Sequence, residues 1–375
     1  MNSQNIIFKD LEDKTVVWFQ DSNEYIVVKK AVADIMKQLK NNIAVFKIAT
    51  SLSKQIDLPK EATIAFITDI EQFTNSSATK KEEKKIQPLK TPAHFCSKKY
   101  YNINNIIFFI EFHSEFEESL VHPKFAHLEV DKTTEYTYHY QVFSNENAIS
   151  FIIDGTEIGT WSLQEVHFFQ GKFSMQIVQH IHQKKEDKWL GVFHASAISN
   201  GTNSMLFLGD SGNGKSTSLA LLQANGFTCL ADDFVPMDAK KQEVYSFPSA
   251  ISIKRNSLEA LLPIYPELET SAEYHFKKLN KIVRYLPPNN SDYTRHLPCK
   301  ALVFIKYEKN SSLIIKKIDN IAAFEQLVPD SWLSPIPENA TTFLDWFANL
   351  PCYQLTYSNN QKMIDTVSKI FTDDL

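Results

Sequence analysis

The feature that most constrains this chain is a nine-residue run, GDSGNGKST, from Gly209 to Thr217. Ahead of it, Met205–Leu208 is apolar and reads as a buried strand. Behind it, Leu219–Leu222 reads as the apolar face of a helix. A strand that turns directly into a helix needs backbone angles that glycine adopts most readily, and three of the chain's 9 glycines fall in this loop. Gly209, Gly214, Lys215 and Ser216 match the spacing G-x-x-x-x-G-K-[ST]. In such a loop successive N–H groups curl toward an anion, and the following helix adds its positive end. The expectation is a P-loop that cradles the phosphates of a nucleoside triphosphate, ATP with Mg²⁺. Gly209, Asp210, Ser211, Gly212, Asn213, Gly214, Lys215, Ser216 and Thr217 form the binding loop. Lys215 reaches the β- and γ-phosphates and the Ser216 hydroxyl ligates the metal.

A second short strand, Phe227–Ala231, ends in Asp232 and Asp233 one helix later. In a parallel sheet both strands deliver their carboxyl ends to the same edge, so both carboxylates are expected beside the phosphates. One of the two is read as holding the metal or its water, and the other as contacting an acceptor hydroxyl.

With 375 residues the chain has room for two or three domains, and 43% hydrophobic against 22% charged residues is ordinary for a globular protein. A formal net charge of -5 argues against a constitutive partner among nucleic acids or anionic membranes. No apolar run approaches membrane-spanning length, and Met1–Gln4 lacks the basic-then-apolar pattern of a signal peptide, so a cytoplasmic location is expected. Cys96, Cys229, Cys299 and Cys352 are widely spaced and read as reduced thiols, not as a zinc site or a disulfide framework.

Four segments follow from the patterning. Residues 1–75 hold strand-like Thr15–Gln20 and Tyr25–Val28 and then three helical periodicities, the third starting at Leu58-Pro59-Lys60-Glu61. Residues 76–92, polar and mixed in charge, read as a solvated linker. Residues 93–185 are β-rich, with Asp154-Gly155 a hairpin signal and Gln176–Gln183 a short helix. Residues 186–375 read as an α/β domain closed by helices at Phe324–Val328, Thr342–Asn349 and Gln361–Phe371.

The run from His194 through Asp233, with GDSGNGKST, Gly226 and LADD in ungapped register, resembles the bacterial HPr serine kinase/phosphorylase family, which is related to phosphoenolpyruvate carboxykinases. Weaker similarity extends from about Phe95 to the carboxyl terminus, and it is greatest to the divergent HPr-kinase-like proteins found with peptide-modifying enzymes. The resemblance implies Lys215 on phosphate, Ser216 on magnesium, Asp233 as the base that takes the acceptor's proton, and His194 in the active site, which leaves Asp232 for the metal. It also implies an acid within a stretch that here reads SAISIKRN, Ser249–Asn256, and has none. The family's second signature with its arginine is missing too, which speaks against phosphorolysis. Lys254, Arg255, Lys281 and Arg284 are the candidates for the missing positive charge. The first 75 residues resemble a PqqD-type peptide-recognition domain. The fold class implied is therefore multi-domain: a small winged-helix-like α+β domain, a β-rich subdomain and an α/β HPr-kinase-like P-loop domain.

Three functions fit this reading. The first is an ATP-dependent kinase for a Ser/Thr hydroxyl of a ribosomally made precursor (leader) peptide or protein, captured by β-augmentation on the first domain. The others are a small-molecule hydroxyl kinase, and a catalytically silent ATP-binding scaffold of a peptide-modification complex. Other peptide-modifying enzymes are expected as partners, and relatives of this kinase class often form homo-oligomers.

Overall fold

The computed structural model describes residues 6–54, 59–79, 86–276 and 281–375, the side chain of Lys281 excepted. It shows a multi-domain α+β protein with several sheets and two compact units, Met1–Glu83 with Ile318–Leu350, and Lys84–Lys317 with Pro351–Leu375. Among the described residues no helix is long and apolar enough to cross a membrane.

The first unit is built on an antiparallel meander, Ile6–Leu11, Lys14–Phe19 and Glu24–Lys29. The expected strands are present, preceded by Ile6–Leu11. The middle strand, Lys14–Phe19, is apolar at four successive positions because both of its faces are covered. Val17 and Phe19 pack with Ile35, Met36, Ile48 and Ile67 from the helices Lys30–Lys40, Val45–Leu52 and Lys60–Ser77. Pro59 caps the third helix, whereas Leu58 lies outside the described residues. On the sheet's other side Tyr25 meets Phe343 and Phe324 edge-on at 5.7 and 6.0 Å, and Lys9 pairs with Asp345 at 2.5 Å.

These contacts change the expected domain boundaries. The helices Asn320–Leu327 and Pro337–Ala348 belong to the first unit and do not close the α/β domain. The reason is aromatic packing on the meander. The linker also begins later than residue 76, since the third helix runs to Ser77; residues 80–85 of it lie outside the described residues.

In the second unit a six-stranded sheet runs in the order Glu129–Val130, Ser97–Ile103, Ile106–Phe112, Tyr138–Ser144, Ala148–Ile153, Thr156–Ser162. Asp154 and Gly155 both have positive φ in the last hairpin, at 48° and 76°. The helix read at Gln176–Gln183 is much longer, Val166–His182, and buries Phe169, Phe173 and Ile177.

A second sheet carries the site. Its strands run Thr228–Asp232, Ser196–Ser199, Ser204–Leu208, His296–Tyr307. The carboxyl half of His296–Tyr307 continues into Cys352–Tyr357, and its amino half into Glu243–Tyr245, Val235–Asp238 and Trp189–Phe193. The sheet is mixed, in contrast to the parallel sheet expected: Ser196–Ser199 lies antiparallel between Ser204–Leu208 and Thr228–Asp232. The two outer strands of that trio therefore run the same way and end at the same edge. A small sheet of Ile251–Lys254, Lys281–Leu286 and Tyr274–Phe276 completes the unit.

Candidate functional site

The strand Ser204–Leu208 is fully buried, and the chain leaves it through Gly209, φ 132°, into a loop that ends at Gly214, φ 95°, the amino cap of helix Lys215–Ala224. A Cβ at Gly209 would stand 2.8 Å from the Ile305 carbonyl oxygen, closer than real contacts allow. At Gly214 it would press on Tyr307 at 3.3 Å. These two glycines let the loop lie directly on its neighbouring strand, where Tyr307 N–H donates to the Asn213 carbonyl at 2.9 Å. Inside the loop Lys215 Nζ donates to the Gly209 carbonyl, and the residue is only 7% exposed. The ammonium is thus held in the concave side of the loop. Behind it Ser218 Oγ lies 2.8 Å from both the Gly214 carbonyl and the Tyr357 hydroxyl, which pins the first helical turn.

The cleft in front of the loop has a volume of about 210 Å³. Of the residues expected in the chemistry, Lys215, Ser216, Asp233 and His194 line it, as do Asp210, Ser211, Gly212, Gly214 and Thr217 of the loop. Gly209 and Asn213 shape the loop from behind.

Asp232 is placed differently from Asp233. It is 2% exposed and sits beneath Ser216, whose Oγ donates to its two oxygens at 3.2 and 3.0 Å. Ser196 Oγ donates to Oδ1 at 2.6 Å and the Ser252 N–H to Oδ2 at 3.0 Å. Burial pushes the carboxyl up to about 6, and the neighbouring Asp233 charge adds to this; the donors oppose it without cancelling it. Asp233 turns out of the strand with φ 63°. That left-handed conformation costs a non-glycine residue roughly 1–2 kcal/mol, and here it brings the Asp233 side chain to the cleft while Asp232 remains beneath it. His194 is exposed; with the proton on Nδ1 it donates to the Asp233 carbonyl at 3.4 Å.

The donor set suits a hard cation. A hydroxyl backed by one buried carboxylate offers oxygen only and leaves room for retained waters, as Mg²⁺ prefers. Among the described residues no group of three or more His, Cys, Asp or Glu converges.

The candidates for the missing positive charge separate cleanly. Lys254 lines the cleft and donates to Ser211 Oγ at 2.8 Å. Arg255 is turned to Glu273. Arg284 is spent on main-chain carbonyls of Leu268, Glu269 and Ser271. The side chain of Lys281 lies outside the described residues. Sequence reading missed Ser196, Ser252 and Tyr357, which support the site from other strands. Only the alternation in Ile251–Lys254 signalled one of them.

No protein-family model matches this chain, and no curated protein matches it.

Proposed function

We propose that the chain is an ATP-dependent phosphotransferase of the P-loop, HPr-kinase-like kind, acting on a Ser/Thr hydroxyl of a peptide or protein. The observation that carries this reading is the convergence, on one cleft, of a glycine-shaped loop, a buried lysine, a hydroxyl backed by a carboxylate, and a second carboxylate facing outward. Such a set serves phosphoryl transfer, where positioning and charge neutralisation do most of the work.

In this reading the loop N–H groups and Lys215 bind the phosphates. Ser216, held by Asp232, is the protein's ligand for Mg²⁺, which when bound neutralises charge on the β- and γ-phosphate oxygens. Asp233 accepts a hydrogen bond from the acceptor hydroxyl and orients it. As the hydroxyl oxygen bonds to the γ-phosphorus, the bond to the β-phosphate oxygen breaks, ADP leaves, and the hydroxyl proton passes to Asp233. His194 orients Asp233 through its main-chain carbonyl. The terminal strand Glu24–Lys29 of the meander offers an edge on which an extended peptide adds by main-chain pairing.

The test is intact mass after incubation with Mg²⁺-ATP and short peptides encoded beside the gene. The expected result is one phosphate gained by a peptide and lost with Asp233→Asn. Bound ATP with no phosphorylated peptide would overturn the peptide-acceptor assignment in favour of a small-molecule acceptor or a nucleotide-gated scaffold.

A further inference from the structure

The strand Ile251–Lys254 alternates as a strand between a core and a cleft must. Ile251 and Ile253 are 0% and 1% exposed and join the apolar cluster of Met205, Leu219 and Val303. Ser252 and Lys254, two residues apart on the other face, line the cleft. Lys254 and Lys215 are its two lysines among the described residues, and Lys254 comes from outside the loop.

Ser252 has an unusual status. The residue is 7% exposed, its N–H is held by Asp232, yet its Oγ has no hydrogen-bond partner among the described residues. A buried polar atom left unpaired costs about 1–3 kcal/mol, so its place on a cleft wall is explained if a ligand supplies the partner. The ligand must accept a hydrogen bond from a hydroxyl and carry negative charge toward an ammonium. With no acid on Ser249–Asn256, the strand cannot ligate a metal as a carboxylate would.

We propose that Ser252 and Lys254 bind the outermost phosphoryl group of the nucleotide directly, and so make the site select a nucleoside triphosphate over a diphosphate. The loop amides hold the phosphates nearer the nucleoside and Lys215 reaches across the β- and γ-phosphates, so Ser252 and Lys254 add to the outer end of the chain. A strand reaching the loop at Ser211 meets the end of the phosphate chain. This rests on the ATP reading above.

The test is calorimetric titration of the full chain with Mg²⁺-ADP and with a Mg²⁺-bound, non-hydrolysable β,γ-imido triphosphate. The wild type is expected to bind the triphosphate more tightly. Ser252→Ala and Lys254→Gln should each weaken the triphosphate about ten-fold, as loss of one hydrogen bond to a charged group does, while diphosphate affinity stays the same. Ser252→Ala removes only the unpaired hydroxyl and keeps the N–H on Asp232, so its melting temperature should not fall. Equal losses for both nucleotides, or none, would overturn the inference while leaving the ATP reading intact. A wild type that binds neither nucleotide would overturn both.

Discussion

Ser196 and Asp232 are joined twice: they are register partners across adjacent antiparallel strands, and the Ser196 hydroxyl donates to Asp232 Oδ1 at 2.6 Å. That bond holds down a carboxyl which burial drives up to about 6. Binding of Mg²⁺-nucleotide, which uses the charged form, should therefore weaken as pH falls below about 6. Ser196→Ala removes a donor, raises the carboxyl further, and should move that midpoint to higher pH. Calorimetric titrations between pH 5 and 8 check this. Affinity independent of pH in both proteins would remove Asp232 from the site.

Global stability should also fall on acidification, for a different reason. Burial lowers His127, His180 and His182 each to about 4, below the ordinary 6.5. Their stabilising contribution is complete above 6.5 and lost as pH falls toward 4. Asp232, raised, contributes in the other direction over nearly the same range, but it is one group against three. Melting temperature should fall between pH 7 and 4.5, and less steeply in His180→Gln, which cannot charge beside Tyr140. A melting temperature that rises on acidification would contradict this.

Gly209→Ala is expected to abolish nucleotide binding while the fold persists. The new Cβ meets a main-chain oxygen, which cannot move aside as a side chain can. The same change at Gly212 meets nothing within 4 Å and opposes only a φ of 102°, so binding should weaken less. Circular dichroism and nucleotide titration of the pair separate the two cases, and equal losses would argue against the close approach to Ile305.

Lys215→Ala and Asp233→Asn should both eliminate phosphoryl transfer, but by different routes. The lysine change should remove nucleotide binding; the asparagine change should preserve it, since in the proposed reaction Asp233 serves the acceptor and not the phosphates. Loss of nucleotide binding in Asp233→Asn would reassign that residue to a metal or structural role.

What could be read from the sequence divides along physical lines. The loop was legible because its requirements are local: glycines at fixed spacing, a lysine, a hydroxyl. The Asp232–Asp233 pair was legible as a strand end and the resemblance divided their roles, but not what separates the two in space, the left-handed φ at Asp233 and the burial of Asp232. Ser196 and Ser252 were not legible, because a serine is common and their roles arise from strands brought beside the loop by the sheet. The helix Val166–His182 was seen only at its carboxyl end. Its first half, VHFFQGKF, combines aromatic residues with a mid-helix glycine, which costs about 1 kcal/mol of helix propensity, and tertiary packing of Phe169 and Phe173 decides the outcome.

The first unit is assembled from two separated stretches of chain, so the polypeptide passes between the units at three points in sequence. A segment that is one piece in a gene can be moved between enzymes by a single fusion or removed by a single truncation; this one cannot. Cutting the chain after residue 90 would strip Tyr25 and the meander from Phe324 and Phe343 and leave an apolar surface on the remainder. Neither stretch can be exchanged without the other, and altering the surface of this unit calls for changing side chains in place.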